Sequence, residues 1–406
     1  MYIVGMDDKF PPNENSAKDD FVVPESGPGE EAASFNAKAQ QEKFLGGGGS
    51  PETVQSNPLE ASKQKESLDR KFVEVNGTRV SYIERGNPHG IPLMYIGGWA
   101  SSASGDRWFL DALDGNTQNS KGFRTLSERK PASAERLQKN LDGLKQKYRI
   151  LDLELPGFGK SSPLEGEVSL DRMADFTAEF QKEIRADKAI IFGSSMGGIV
   201  GVKLAGRHPE AVKALFLQGV MTERSDMAQK AYKGGQFLGS WPVREIVRIP
   251  GVFSKAVTAG SKTDADFKMS DKEAQTAMAE GFKLAHVKTS TTLVREIGKD
   301  IGEDIEKVKC PVVIIDGSAA NTVTYDKQKM AAQKFPKQTL NYEKSQRTKT
   351  VNAIPLVVTE DFGEQGHTVV NTSPEILAVL VDKMSSKLLE LTRTNENSDQ
   401  GPEVDQ

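Results

Sequence analysis

In a chain of 406 residues, the side chains best placed by type and spacing to do chemistry lie in Gly193-Ser194-Ser195-Met196-Gly197. The apolar run Ile190-Ile191-Phe192 precedes this pentapeptide and a helical pattern, Ile199 to Arg207, follows it. Gly-x-Ser-x-Gly between a strand and a helix makes a sharp turn. Its glycines, lacking Cβ, let strand and helix approach, and its serine sits at a strained apex with the hydroxyl exposed. Such a hydroxyl becomes a nucleophile when a base takes its proton. Of the four histidines, His89 lies in a Pro-Gly turn, His208 precedes Pro209 at a helix end, and His286 falls inside a Lys-rich helical segment. Only His367 follows an apolar strand on the sheet edge that carries Ser195, so it is the expected base. His and Cys are too few and too dispersed for a metal cluster, and no cofactor is expected. Gly46 to Gly49 is not a phosphate loop, since no strand precedes it and no Lys-Ser/Thr closes it.

Alternating strands and helices have to position these residues. Lys71-Phe72-Val73-Glu74-Val75 and Thr78 to Glu84 alternate in polarity around Asn76-Gly77, the strongest two-residue hairpin signal. Ile91 to Ile96, Tyr148 to Leu155, Ile190 to Phe192, Ala211 to Val220, Val312 to Gly317 and Ile354 to Val358 read as further strands. Helical spacing of Leu170, Met173, Phe176, Phe180 and Ile184 predicts an amphipathic helix over Ser169–Arg185. Helices are also expected at Tyr325–Phe335 and after Ser373-Pro374-Glu375. The pattern implies a mostly parallel sheet with helices on both faces, and sites in such sheets collect at the strands' carboxyl ends. Residues 68–220 and 307–393 are expected to form this core, and 394–406 a disordered tail. Between the two core halves, residues 221–306 are Lys-rich and punctuated by Gly234-Gly235, Pro242 and Pro250-Gly251; they read as an inserted helical lid.

The N-terminal part is of a different kind. Residues 1–45 are polar, with isolated apolar spots at Phe10, Phe21-Val22-Val23, Phe35 and Phe44-Leu45, and cannot bury enough surface to fold alone. Gly46-Gly47-Gly48-Gly49-Ser50 then opens a flexible stretch, 46–67. It is similar to the engineered linkers that tether a partner peptide, so residues 1–45 are expected to be a segment fused in cis that docks on the following domain. A flexible stretch of that length reaches roughly 26 Å, enough to present the segment to a surface groove.

Composition narrows the classes further. The formal net charge of −4 comes with no basic block, so nucleic acid is not an expected partner. A lone cysteine, Cys310, excludes an intrachain disulfide and favours a reducing, cytoplasmic location; it reads as an inert buried thiol. No run of 18 apolar residues suggests a membrane span, and Met1 to Asp20 does not read as a signal peptide.

Together with Gly97-Gly98-Trp99 after the third strand, Leu155-Pro156-Gly157-Phe158-Gly159-Lys160-Ser161 after the fourth, the inserted lid, and Gly366-His367 after the last strand, the Gly193–Gly198 turn resembles the α/β-hydrolase family over about residues 70–393. The resemblance implies Ser195 as nucleophile, His367 as base, and the backbone N–H groups of Met196 and of Gly98 or Trp99 as an oxyanion hole. The family's acid falls at Ala320, which has no carboxylate. Asp316, or Glu223 or Asp226, is a substitute; alternatively Asn321 orients the histidine, or the triad is broken. Gly97 stands where the family commonly has His, and Glu154 where it commonly has a structural Asp. Trp99 is a candidate for lining a pocket, while Trp108 is expected in the core.

Two functions remain open at this level. One is a serine hydrolase of a small ester, thioester or amide, weakened where the acid is lost. The other is a non-catalytic or weakly catalytic hydrolase scaffold that binds a peptide, segment 1–45, in a chaperone-like role.

Overall fold

The structure is a computed structural model and describes residues 70–116, 131–220, 272–297, 299–317, 325–342, 347–351, 354–358 and 374–398, with isolated positions between 233 and 255. Segments 1–45 and 46–67, most of 221–271 in the expected lid, and the stretches 318–324 and 359–373 with Ala320, Asn321 and His367 lie outside these residues.

The strands are β1 (Arg70–Val75), β2 (Thr78–Gly86), β3 (Ile91–Ile96), β4 (Tyr148–Leu153), β5 (Ala189–Ser194), β6 (Val212–Gln218), β7 (Val312–Gly317), β8 (Gln338–Tyr342), β9 (Arg347–Val351) and β10 (Ile354–Val358). Among the described residues, eight of them form one sheet in the order β1-β2-β4-β3-β5-β6-β7-β10. The antiparallel pairings are β1 with β2 and β2 with β4; from β4 to β10 every pairing is parallel. Asn76 and Gly77, with φ of 47° and 76°, close the first hairpin, and Val75 pairs with Thr78. Positive φ at both turn residues matches the right-handed twist of the flanking strands.

The helices are α1 (Ala103–Leu113), α2 (Pro131–Asp142), α3 (Leu170–Glu183), α4 (Met196–Arg207), α5 (Lys272–Leu284), α6 (Val287–Glu296), α7 (Gly302–Glu306), α8 (Tyr325–Lys334) and α9 (Pro374–Ser398). Successive side chains of a strand face opposite ways, and the sheet therefore separates two cores. Met94, Ile96, Leu151, Ile191 and Ile314 pack with α3 and α4. On the other face, Leu93, Tyr95, Ile190, Phe192 and Phe216 pack with α1, α2 and α9. Tyr95, Phe109, Phe192 and Phe216 form a chain of ring contacts with centroids 4.7 to 6.5 Å apart. The apolar face expected for α3 is the buried one, and Ser169 caps the helix by accepting from Arg172 N at 3.2 Å. Trp108 is in the core, as expected.

Two elements differ from the sequence reading. α9 runs to Ser398, into the stretch 394–406 expected to be a disordered tail. Its polar end gives no packing signal, but extending a formed helix adds one hydrogen bond for each residue fixed. β8 and β9 form an antiparallel hairpin of their own, Gln338 opposite Val351 and Tyr342 opposite Arg347, in a stretch whose Lys, Gln and Thr content gave no apolar alternation. Between β6 and β7 the described part of 221–306 is helical, as α5, α6 and α7. The described residues include no helix long and apolar enough to cross a membrane.

Candidate active site at the carboxyl end of the sheet

Ser195 joins β5 to α4 with φ 51° and ψ −117°. That conformation costs a non-glycine residue about 1–3 kcal/mol and persists only where its surroundings over-determine it. Here the Ser195 N–H donates to Gln218 O of β6 at 2.8 Å, and the Ser195 carbonyl accepts from Gly198 N at 3.0 Å and Ile199 N at 3.3 Å. Next to it, the Ser194 hydroxyl donates to Gln218 Oε1 at 2.7 Å. Gln218 thus fixes the turn from the neighbouring strand through both backbone and side chain.

The flanking glycines are required by space. A Cβ on Gly197 would lie 2.0 Å from Ile96 O and 2.4 Å from Gly97 O. One on Gly193 would lie 2.5 Å from Gly198 Cα. The result is that Ser194 and Met196 are buried and Ser195 between them is half-exposed. Met196 is the first residue of α4, so its N–H has no intrahelical acceptor, and the positive end of the helix dipole lies beside Ser195.

Facing Ser195 is the turn after β3. A Cβ added to Gly98 would be 3.5 Å from Ser195 Cβ and 3.7 Å from Ser194 O, so this backbone lies against the serine. The turn is built from its own bonds. Ser101 N donates to Gly98 O at 3.1 Å, and Ala100 takes φ 58°. The Ser101 hydroxyl donates to Asp106 Oδ2 in α1. On the opposite side, Trp99 Nε1 donates to Ser290 O of α6 at 2.9 Å, and its ring lies 6.2 Å from that of Phe282 in α5. A Cβ on Gly281 would be 2.5 Å from Ala100 O, so α5 seats directly on the turn. Trp99, half-buried, therefore joins the turn to the helices between β6 and β7.

Beneath this turn is a group of carboxylates. Glu154, 3% exposed, accepts from Arg70 Nη1 at 2.6 Å, Lys160 N at 2.8 Å and Ala103 N at 3.1 Å. It ties β1, the Pro156–Ser161 loop and the start of α1 together, which is the structural role its position suggested. Burial lifts the Asp106 carboxyl to about 6; hydrogen bonds from Ser101 and Tyr95 act against the rise and the charge of Glu154 adds to it. Asp152, opposite Tyr95 in the β3–β4 register, is held well above the ordinary carboxylate range by burial, with Asp106 and Glu154 adding and Arg85 and Arg70 opposing. A small cavity opens here between Gly98, Ser102, Asp152 and Phe158. Among the described residues no group of His, Cys, Asp and Glu has the geometry to hold a metal ion.

Of the residues singled out from sequence, Ser195, Met196, Gly98 and Trp99 come together. Asp316 is the penultimate residue of β7, its backbone opposite Val357 of β10, at the same sheet edge. His367 follows β10 in sequence and lies outside the described residues; Ala320, Asn321, Glu223 and Asp226 also lie outside them. The other three histidines are engaged elsewhere. His286 caps α6, His208 Nε2 is 2.8 Å from Asp175 Oδ1, and His89 sits in the turn after Asn87. Cys310 is buried and its thiol is pushed up to about 12 by burial. The sequence reading did not find Gln218, Ser101 or Asp106. The signal available for Asp106 was a carboxylate in the first turn of α1, directly after the Gly97–Ser102 turn.

A mostly parallel sheet flanked by helices, with a strained serine between strand and helix and a glycine turn against it, defines the α/β-hydrolase fold. The serine aminopeptidase S33 family model matches residues 131–346, just over half of the chain, and the chain belongs to that family. It is 28% identical over 158 residues to the dihydrolipoyllysine-residue acetyltransferase component of the acetoin cleaving system of Cupriavidus necator, covering 39% of this chain and 34% of that protein. It is 27% identical over 160 residues to 2-hydroxy-6-oxo-6-(2'-aminophenyl)hexa-2,4-dienoic acid hydrolase of Metapseudomonas resinovorans, covering 39% and 45%. The match thus spans less than half the length of either relative. Among solved structures, a thermophilic esterase from Thermogutta terrifontis superposes with a TM-score of 0.54 at 14% identity, covering 79% of this chain and 98% of that one, a likeness of fold.

Proposed function

We propose that the protein is a serine hydrolase of a small ester, thioester or amide. The observation that carries this reading is the strained backbone of Ser195, held half-exposed against Gly98 and at the start of α4. In this reading His367 takes the proton of the Ser195 hydroxyl as the oxygen attacks the substrate carbonyl. The N–H groups of Met196 and of Gly98 or Trp99 hold the oxyanion. When the tetrahedral intermediate collapses, His367 returns the proton to the leaving group and Ser195 keeps the acyl group. Water, deprotonated by the same histidine, then releases the acid. Asp316 is assigned the orienting carboxylate, since Ala320 has none and β7 delivers Asp316 to the same edge. The α5–α6 pair, seated on Trp99, selects the acyl or alcohol group. The hydrolase among the relatives and the esterase fold support the class.

The test is turnover of p-nitrophenyl acetate. Ser195→Ala is expected to abolish it while leaving the thermal unfolding midpoint close to that of the parent chain. Turnover that survives the substitution contradicts the proposal. Asp316→Asn is expected to lower kcat by about 10⁴-fold, with Ala320→Asp giving no comparable gain. A large gain from Ala320→Asp instead assigns the missing acid to position 320. The peptide-binding alternative predicts a parent chain without turnover whose segment 1–45 resists proteolysis.

A further inference from the structure

Asp106 is a buried carboxylate that the hydrolytic scheme does not use. It is 7% exposed, and among the described residues no cation lies within ion-pair distance of it; its charged neighbours are the carboxylates Glu154 and Asp152. Burying a carboxylate without a cation is costly, yet the side chain accepts from the Ser101 hydroxyl, with the Tyr95 hydroxyl also acting on it. Ser101 in turn donates its backbone N–H to Gly98 O at 3.1 Å. A trans peptide is planar, with its C=O and N–H pointing opposite ways. Fixing the Gly98 carbonyl on Ser101 therefore fixes the direction of the Trp99 N–H across the same peptide. Space reinforces the arrangement, because a Cβ on Gly97 would lie 2.6 Å from Ser101 Oγ and 3.0 Å from Asp106 Oδ2.

We infer that Asp106, acting through Ser101, is a positioning residue for the oxyanion turn. It sets the Gly98–Trp99 peptide so that the Trp99 N–H is available to an oxyanion on the substrate held at Ser195. Ala100 at φ 58° stores strain in the same turn, and without the carboxylate the turn can relax away from the donor geometry. Because catalytic groups misplaced by about 1 Å lose on the order of 10²-fold in rate, the effect belongs in kcat rather than in substrate binding. The inference rests on the hydrolase reading of Ser195.

The experiment measures kcat and KM for p-nitrophenyl acetate on the full chain and on Asp106→Ala, Asp106→Asn, Ser101→Ala and the double variant Ser101→Ala/Asp106→Ala. The expected result is a fall in kcat of about 10–100-fold for Asp106→Ala and for Ser101→Ala, with KM within twofold. Asp106→Asn, whose amide oxygen still accepts from Ser101, recovers most of the rate. The double variant is no slower than the slower single, since both act along one path. Unchanged kcat in a folded Asp106→Ala or Ser101→Ala variant, or additive losses in the double, overturns the inference and leaves the hydrolase reading intact. A parent chain without turnover overturns both. Should the Asp106→Ala chain fail to fold, Ser101→Ala decides alone, because it removes only the hydroxyl.

Discussion

At the scale of single residues, the site depends on side chains that are absent as much as on those present. Gly197 has carbonyl oxygens at 2.0 and 2.4 Å from the point where a Cβ would be, both on rigid backbone at the end of β3. Gly197→Ala forces strand and helix apart and is expected to cost about 3 kcal/mol, the upper range for overpacking, together with most of the turnover. Urea unfolding of the variant beside the parent checks the first part. Asp106 makes a prediction of a different kind. Its folded carboxyl titrates at about 6, against about 3.9 for an unfolded aspartate. Between those values the folded chain holds a proton that the unfolded chain has lost, so the contribution of Asp106 to stability falls as pH rises from about 4 to about 6 and is level above that, at up to about 1.4 kcal/mol per pH unit. Asp106→Asn removes this dependence. The unfolding free energy of the variant minus that of the parent is therefore expected to grow from pH 4 to pH 6, and a constant difference over that range contradicts the assignment. Ser195 was legible in the sequence because two glycines at fixed spacing declare the turn. Gln218 was not, because a glutamine at the end of an apolar strand carries no mark of the neighbour it holds.

At the scale of elements, α1 carries Asp106 and must be held against the sheet. Arg85 of β2 donates to Asp111 of α1 at 2.7 Å, with both side chains buried. Glu154 accepts from Ala103 N at the helix start. Removing one member of a buried pair typically costs 3–5 kcal/mol. Arg85→Ala is expected to fall in that range by denaturant unfolding, and a change under 1 kcal/mol shows that the pair contributes little. α3 and the parallel strands were readable from periodicity because each buries one face or both. The β8–β9 hairpin was not, since its strands pair with each other and not with the large sheet. The length of α9 was misjudged for a related reason: its last turn extends a helix without an apolar stripe.

At the scale of the whole molecule, the fold brings together residues far apart in the chain. Gly98 and Ser195 meet because β3 and β5 are neighbours in the sheet although β4 lies between them in sequence. The helices between β6 and β7 return to the same edge, where α6 accepts a hydrogen bond from Trp99 and approaches Gly157, whose carbonyl accepts from His286 N at 2.8 Å. The sequence pattern indicated this edge as the site because parallel strands end there. It did not indicate how the turns would be braced, since bracing depends on contacts between elements rather than on periodicity within one. The orienting acid was the least legible feature, because a carboxylate can reach a histidine from more than one strand end. The account stands on Ser195 being an activated nucleophile. The most direct measurement is reaction of the full chain with a fluorophosphonate probe, followed by peptide mass spectrometry. The predicted result is a single adduct on the peptide containing Ser195 that is absent from Ser195→Ala; no adduct, or one that persists in that variant, contradicts it.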